Sequence, residues 1–203
     1  ATMRLIPAAA AALMLAAAPH AQARSFTWSF AADILTLDPH SSNNTFTNAF
    51  LDNLFETLVR HNPRLEIEAS LATRWEVVSP TVWRFHLREG VRFHGGESFG
   101  AEDVVFSWQR LNTPGALARG VLGNVIKEVR ATGPLTVEIE TQRPFPILLN
   151  ALTQMHIMDS GWAAANNATA ATNLQQREES AAQRGANGTG PFRLRSREVE
   201  GAT

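Results

Sequence analysis

A period of two in the apolar residues runs through WRFHL at 83–87 and resumes, after an intervening Glu-Gly pair, in VRF at 91–93. Such alternation places one apolar stripe on one face of a strand, and a glycine-containing break between two short alternating runs is typical of a tight turn. The pattern predicts a hairpin of two short strands with Trp83 and Phe85 buried.

The apolar period changes to that of a helix after Phe99. Glu102 and Asp103 lie in the predicted first turn, where exposed N–H groups and the helix dipole favour negative charge. Gly100 stands at the N-cap, which glycine tolerates. The apolar residues that repeat at three and four are Val104, Val105, Trp108 and Leu111. The sequence therefore predicts an amphipathic helix from Ala101.

Similar patterns predict the remaining elements. They are a strand at 25–30, a turn at Asp38-Pro39, a helix over 47–58, a hairpin of 125–130 and 135–140 with Glu138 and Glu140 in solvent, a short helix after Pro144 that buries Ile147, Leu148, Leu149 and Leu152, a strand at 155–158, and a solvent-facing helix within 163–186. Glycine-rich residues 111–123 are expected to form an irregular connection.

Composition narrows the function classes. The 203 residues include no cysteine, which removes disulfides and thiol chemistry, and 18 Lys plus Arg balance 19 Asp plus Glu, so no basic surface favours nucleic acid.

Residues 1–23 contain a short positive start at Met3-Arg4, an apolar run, and a small-x-small site at 21–23. This arrangement predicts a secretory signal peptide, since the apolar run is too short for a membrane span of about 20 residues.

The order of motifs from residue 83 resembles a known signature. The run W-x-F-x-L-R-x-G-V-x-F-H-x-G, followed by A-E-D-V-V-F-S, is similar to that of the peptide/nickel family of periplasmic solute-binding proteins, which are receptors of ATP-driven importers. Further landmarks occur in family order: L-D-P-H at 37–40, L-F-E-T-L-V at 54–59, L-A-x-x-W-x-V at 71–77 and G-T-G-P-F at 188–192.

The resemblance implies a mixed α/β fold of the two-lobed periplasmic-binding-protein class, with only the N-terminal portion of a longer protein present. Residues 24–48 would begin lobe I, 49–184 would form the accessory domain, and 185–203 would return to lobe I. The glycines of G-T-G-P-F would supply a tight crossing, and Pro191-Phe192 would start a returning strand.

Position in the family fold nominates Ala32, Asp33 and Ile34 as the ligand-side residues, just before the turn at Asp38-Pro39. The resemblance also implies a periplasmic monomer that binds a peptide or small molecule and works with membrane permease and ATPase subunits. Peptides, nickel chelates, haem, glutathione and oligosaccharides are all ligands of such receptors, so the substrate stays open.

Catalytic chemistry finds little support in the sequence. His86 and His94 lack a third partner at metal-ligand spacing. The glycines of 185–190 are not followed by the Lys-Ser/Thr pair of a phosphate loop, and no G-x-S-x-G or H-E-x-x-H motif occurs. We therefore expect a binding protein without a cofactor rather than an enzyme, with an enzyme or interaction module on the same fold as the alternative.

Overall fold

The computed structural model describes residue 27 and residues 31–198. Contacts divide the chain into two compact units, Ala1–Ala32 and Asp33–Thr203, and the fold below is that of the second. The predicted signal peptide lies outside the described residues, as does all but residue 27 of the predicted strand at 25–30. None of the described helices has the length and apolar character needed to span a membrane.

The main sheet has four antiparallel strands. Their bounds are β3 Ala72–Ser79, β4 Val82–Leu87, β5 Ile126–Gly133 and β6 Thr136–Thr141, and their order is β3-β4-β6-β5. A separate two-stranded sheet pairs β1 Val59–His61 with β2 Ile67–Ala69. The antiparallel pair predicted at 125–130 and 135–140 is confirmed as β5 and β6.

The predicted hairpin of 83–87 with 91–93 is wrong. β4 pairs instead with β3, through a turn at Pro80-Thr81, and with β6 on its other side. Between Leu87 and Ala101 the only β pairing is an isolated bridge, between Arg92 and Ser98. The sequence pattern did not indicate β3 as the partner of β4. β3 is an edge strand whose residues are mostly exposed, so it lacks the apolar alternation of a half-buried strand.

Besides two 3₁₀ helices, Leu117–Arg119 and Leu174–Gln176, six α-helices lie among residues 31–198. They are α1 Thr45–Leu51, α2 Ala101–Arg110, α3 Leu122–Val125, α4 Leu148–Leu152, α5 Ser160–Ala165 and α6 Ala181–Arg184. The helix predicted from Ala101 is confirmed as α2. Its first turn is closed by Asp103, whose Oδ2 accepts a hydrogen bond of 3.0 Å from the backbone N–H of Gly100.

Several other predicted elements differ. The helix over 47–58 ends at Leu51, because the chain then turns to carry Leu54, Phe55 and Leu58 into the core. Residues 155–158 are buried but form no strand, and 163–186 holds three short helical pieces instead of one solvent-facing helix. The alanines there pack against the protein: Ala163, Ala168, Ala171 and Ala182 are all buried.

Two clusters of buried apolar side chains form the core. The larger lies between the four-stranded sheet and α2, and Phe85, Val104, Leu111 and Ile139 are among its fully buried members. The smaller joins the segment from Ile34 to Leu37 with α1 and α5. Trp83, predicted to be buried, packs against the larger cluster but is only partly buried, and Ile147, predicted to face the core, is 59% exposed.

The other face of the sheet carries a ladder of ion pairs. Glu138, expected in solvent, is only 8% exposed because it accepts hydrogen bonds of 2.7 Å from both Arg84 and Arg130 on neighbouring strands. These bonds hold the pKa of the Glu138 carboxyl below its usual range. The chain thus covers its exposed sheet face with paired charges instead of a second apolar layer.

Candidate functional site

The segment nominated from the sequence lies beside the last described residues of the chain. Nη2 of Arg197 donates a hydrogen bond of 2.7 Å to the carbonyl oxygen of Ile34 and lies 3.5 Å from Oδ2 of Asp33. The structure therefore brings Asp33 and Ile34 together with a residue 163 positions away from Ile34. Sequence reasoning missed Arg197, because nothing in its local pattern distinguishes it from the neighbouring arginines.

The groups that this segment exposes are few. The Asp33 side chain is 68% exposed and Leu35 is 60% exposed, whereas Ile34 is buried in the smaller core cluster. The N–H of Ile34 donates to Oδ1 of Asp33 at 2.7 Å, and the N–H of Leu35 donates to Oγ1 of Thr47 at 3.1 Å. Ala32 is exposed. An exposed carboxylate and an exposed leucine are thus held on a backbone that is fixed by side chains.

A buried ion pair fixes the next residues of the same segment. Oδ1 and Oδ2 of Asp38 accept bonds of 2.6 and 2.7 Å from Nη1 and Nη2 of Arg110 in α2, and both side chains are fully buried. Thr172 donates to Oδ2 of Asp38 through its N–H at 2.9 Å and its hydroxyl at 2.8 Å. The Asp38-Pro39 turn is therefore also the point where three distant parts of the chain are joined.

The remaining polar atoms of this cluster are also paired. Nε of Arg110 donates to the carbonyl oxygen of Ala168 at 2.8 Å, and its Nη2 donates to that of Ala170 at 2.9 Å. His40 has Nε2 at 2.9 Å from the carbonyl oxygen of His156 and Nδ1 at 3.1 Å from Nη1 of Arg110. Since a carbonyl only accepts and a guanidinium only donates, Nε2 of His40 carries the proton and Nδ1 accepts.

Burial and charge set the protonation of this cluster. Burial alone would raise the pKa of Asp38, but its hydrogen bonds to the Arg110 guanidinium outweigh that effect and hold this pKa well below its usual range. Burial, helped by the nearby Arg110 charge, lowers the pKa of His40 to about 3. The cluster therefore consists of a neutral histidine beside an ionised pair and offers no free acid or base.

The crossing at G-T-G-P-F packs directly onto the loop after α1. The N–H of Gly190 donates to the carbonyl oxygen of Leu54 at 3.0 Å, and the N–H of His94 donates to that of Gly188 at 2.9 Å. A Cβ atom at Gly188 would overlap the carbonyl oxygen of Leu54, so this approach requires glycine. The strand predicted from Pro191 does not form within the described residues, which run in irregular conformation to residue 198.

A match to known proteins covers most of the chain. The family model described as bacterial extracellular solute-binding proteins, family 5 Middle, matches residues 66–202. The chain therefore belongs to this family, and the resemblance inferred from the motifs is confirmed.

Solved structures of the family share the fold. The periplasmic binding protein DppA from Helicobacter pylori, in complex with peptide STSA, is 27% identical with a TM-score of 0.66 over 80% of this chain and 35% of that chain. MoaA from A. tumefacien R10, in complex with mannopinic acid, is 30% identical with a TM-score of 0.66 over 81% and 33%. NikZ from Campylobacter jejuni, in complex with Ni(L-His), has a TM-score of 0.69 over 82% and 32%, and its 24% identity supports the fold alone.

Curated relatives of the chain include transcriptional regulators. The HTH-type transcriptional regulator SgrR of Escherichia coli O6:K15:H31 is 35% identical over 118 residues, which is 56% of this chain and 20% of that protein. The SgrR of Shigella dysenteriae serotype 1 is 34% identical over the same length. The chain thus spans about a fifth of these relatives and about a third of the solved structures.

Proposed function

We propose that this chain is part of an extracytoplasmic receptor that captures a small solute and delivers it to the permease and ATPase subunits of an ABC importer. The observation that carries the proposal is family membership over residues 66–202. The receptor acts as a monomer, and the division into lobe I at 24–48 and 185–203 and an accessory domain at 49–184 is part of the same proposal. Residues 1–23 act as a signal peptide that directs export of the receptor to the periplasm and is then removed.

Di- and oligopeptides are the proposed ligands. DppA of H. pylori supports this choice, since it is a family relative in complex with a peptide. The complex of MoaA with mannopinic acid shows that a related protein also binds a small acid. Nickel chelates, haem, glutathione and oligosaccharides, which the resemblance in sequence motifs leaves open, are the alternative ligand classes.

Ala32, Asp33 and Ile34 are the proposed ligand-side residues. Asp33 supplies the one exposed carboxylate among these three, which suits the ammonium group of a peptide. The exposed Leu35 beside it suits an apolar ligand side chain. Ile34 acts through the backbone: its buried side chain and its hydrogen bond to Arg197 hold Asp33 in place.

Binding without catalysis is the proposed role of the site. Among residues 31–198, no histidine, serine or second carboxylate forms a hydrogen bond with the Asp33 carboxylate. The site therefore lacks the acid-base pairing that hydrolysis needs. A second candidate is the solute-sensing part of a transcriptional regulator, which the 35% identity to SgrR favours. In either role the chain recognises a solute.

A titration of the full ¹⁵N-labelled chain with peptides of two to five residues tests the proposed site. Amide shifts are expected at Asp33, Leu35 and Arg197, and Asp33→Asn is expected to weaken them several-fold. Glu89→Gln, a change at an exposed position outside this segment, is the matched control. Hydrolysed peptide in the sample, or shifts that leave Asp33 to Leu35 unmoved, would contradict the proposal.

Cell fractionation distinguishes a periplasmic receptor from a cytoplasmic regulator. A receptor is expected in the osmotic-shock fluid with Arg24 as its first residue, whereas a regulator is expected in the cytoplasm with residues 1–23 retained. Mass spectrometry of the intact protein from each fraction gives the answer. A cytoplasmic, unprocessed chain would favour the regulator.

A further inference from the structure

An asparagine followed by a glycine lies inside the crossing at 185–190. Asn187 is the only asparagine of the chain that precedes a glycine, and it is only 3% exposed. Such a pair is chemically labile in a flexible chain, because a glycine has no Cβ atom to hinder the approach of its backbone nitrogen to the preceding side-chain amide. The crossing therefore contains a reactive pair of residues in a buried place.

Deamidation of this pair needs no reactant other than water. The backbone nitrogen of Gly188 attacks Cγ of Asn187, so that a C–N bond forms and closes a cyclic imide. The bond between Cγ and Nδ2 breaks, and Nδ2 leaves as ammonia with the proton of the Gly188 N–H. Water then adds to one of the imide carbonyl carbons and opens the ring, which gives aspartate or isoaspartate at this position.

Hydrogen bonds hold both ends of the Asn187 amide in the folded chain. Its Oδ1 accepts from the N–H of Gly95 at 2.7 Å. Its Nδ2 donates to Oδ2 of Asp159 at 2.7 Å and to Oε2 of Glu97 at 3.3 Å. Ring closure would carry the amide toward the backbone and break these bonds, so the folded chain opposes the first step of the reaction.

The backbone that would have to attack is fixed as well. The carbonyl oxygen of Gly188 accepts from the N–H of His94 at 2.9 Å, and the N–H of Gly190 donates to the carbonyl oxygen of Leu54 at 3.0 Å. Gly188 lies so close to Leu54 that a Cβ atom would overlap its carbonyl oxygen. The Gly188 backbone therefore has little room to rotate, and the burial of Asn187 keeps out the water that the second step consumes.

Either product would fit this place badly. Aspartate at position 187 replaces an N–H donor by an oxygen that faces the carboxyl groups of Asp159 and Glu97. Burial already raises the pKa of the Asp159 carboxyl, and the charges of Asp103 and Glu97 raise it further, so another ionised carboxylate is unfavourable here. Isoaspartate adds a carbon atom to a backbone that is packed without slack. Both products would thus separate the crossing from the turn at 93–97.

We propose that Asn187 is a deamidation site that the folded chain shields, and that its conversion to aspartate or isoaspartate irreversibly releases the crossing from the turn at 93–97. Each transient opening of the crossing frees the amide and admits water, so the modified fraction grows with the time that the crossing spends open. The site is separate from the proposed ligand segment at Asp33 and does not depend on the proposed function.

Deamidation rates in the folded and the denatured chain test the shielding. The full chain is kept at mildly alkaline pH with and without guanidinium chloride, and peptide mass spectrometry follows the gain of one mass unit at position 187. The rate is expected to be about tenfold lower or more in the folded chain, because local opening must precede the reaction. Glu89→Asn supplies the matched reference, since it places an Asn-Gly pair at 89–90 in an exposed turn. That pair is expected to react at similar rates in both conditions.

Variants test what the modification does to the crossing. Asn187→Asp is expected to lower the hydrogen-exchange protection of the His94 and Gly190 N–H groups about tenfold or more, since it removes donors and adds a charge. Asn187→Ala, which removes the same donors without a charge, is expected to lower it less. Asn124→Asp makes the same chemical change at an exposed position and is the matched control.

Two outcomes would overturn this site. Equal deamidation rates at position 187 in the folded and the denatured chain would show that the fold gives no shielding. Unchanged protection of the His94 and Gly190 N–H groups in Asn187→Asp would show that the modification does not release the crossing. If Asn187→Asp does not fold, the deamidated fraction of the parent chain, separated by ion exchange, supplies the same protection measurement.

Discussion

The carboxylate of Asp38 and the guanidinium of Arg110, 72 residues apart, are joined by two parallel hydrogen bonds of 2.6 and 2.7 Å in the interior of the protein. This pair connects the segment that carries the proposed ligand residues to α2, the helix that packs on the sheet. Thr172 and the carbonyl oxygens of Ala168 and Ala170 complete it. A buried pair of this kind fixes geometry more than it adds stability, because desolvation opposes its attraction.

Asp38→Asn is expected to destabilise the chain strongly. It leaves the buried Arg110 charge without its counterion, which typically costs about 3–5 kcal/mol. Urea denaturation measures the free energy of unfolding. Arg60→Gln is the control, since Arg60 pairs with Glu68 at 2.7 Å on the surface, and loss of an exposed pair costs about 1 kcal/mol or less. Equal losses in the two variants would mean that the Asp38 pair is not buried in solution.

Stability is expected to fall as the pH falls below about 6.5. His40 has its pKa lowered to about 3 in the folded chain, whereas an unfolded histidine titrates near about 6.5. Between these values the unfolded state binds one more proton, which costs folding about 1.4 kcal/mol per pH unit. The depressed pKa of Asp38 acts in the same direction below about pH 4, where an unfolded aspartate is protonated.

His40→Gln separates the histidine from the other titrating groups. Glutamine keeps an N–H donor for the carbonyl oxygen of His156 but does not titrate. Between pH 6 and pH 4.5, the unfolding free energy of this variant is expected to depend less steeply on pH, by an amount that corresponds to about one proton fewer bound on unfolding. An unchanged slope, measured by urea denaturation at several pH values, would show that His40 is not the group responsible.

Phe85→Ala is expected to cost about 3–5 kcal/mol, as removal of a fully buried aromatic ring does. Phe85 has no exposed surface, whereas Trp83, two residues earlier on the same strand, is only partly buried. Trp83→Ala is therefore the matched comparison and is expected to cost clearly less. Denaturation midpoints of the two variants rank the positions, and a larger loss at Trp83 would contradict the packing of β4.

Gly188→Ala is expected to destabilise the crossing by about 1–3 kcal/mol, the usual cost of overpacking. The new methyl group would overlap the backbone of Leu54, which cannot move aside as a side chain end does. Gly133→Ala is the control, because a Cβ atom there would meet Thr136 at an ordinary 3.8 Å. Hydrogen exchange at Gly190 and Phe192, whose N–H groups bond to Leu54 and Asn53, locates the effect. Unchanged hydrogen-exchange protection of these two N–H groups in Gly188→Ala would contradict the expected destabilisation of the crossing.

Local patterns alone determined the helix at Ala101–Arg110 and the hairpin of β5 with β6. In both, the residues that alternate or repeat are neighbours along the chain, and the closing interactions, such as Asp103 with the N–H of Gly100, span few residues. The order of motifs likewise led to the solute-binding family, because each family landmark is a short run of neighbouring residues that can be recognised without the fold.

Only the tertiary structure decided which strand pairs with β4, that the alanine-rich stretch near 163–186 is partly buried, and that Glu138 is covered by two arginines. The same holds for Arg197 beside Ile34 and for Arg110 on Asp38. Each of these depends on residues that are far apart in the chain, and the burial of a small or charged residue is set by what covers it. A hydrophobic period reports only which face an element turns inward, so it carries no information about the partner on the other side.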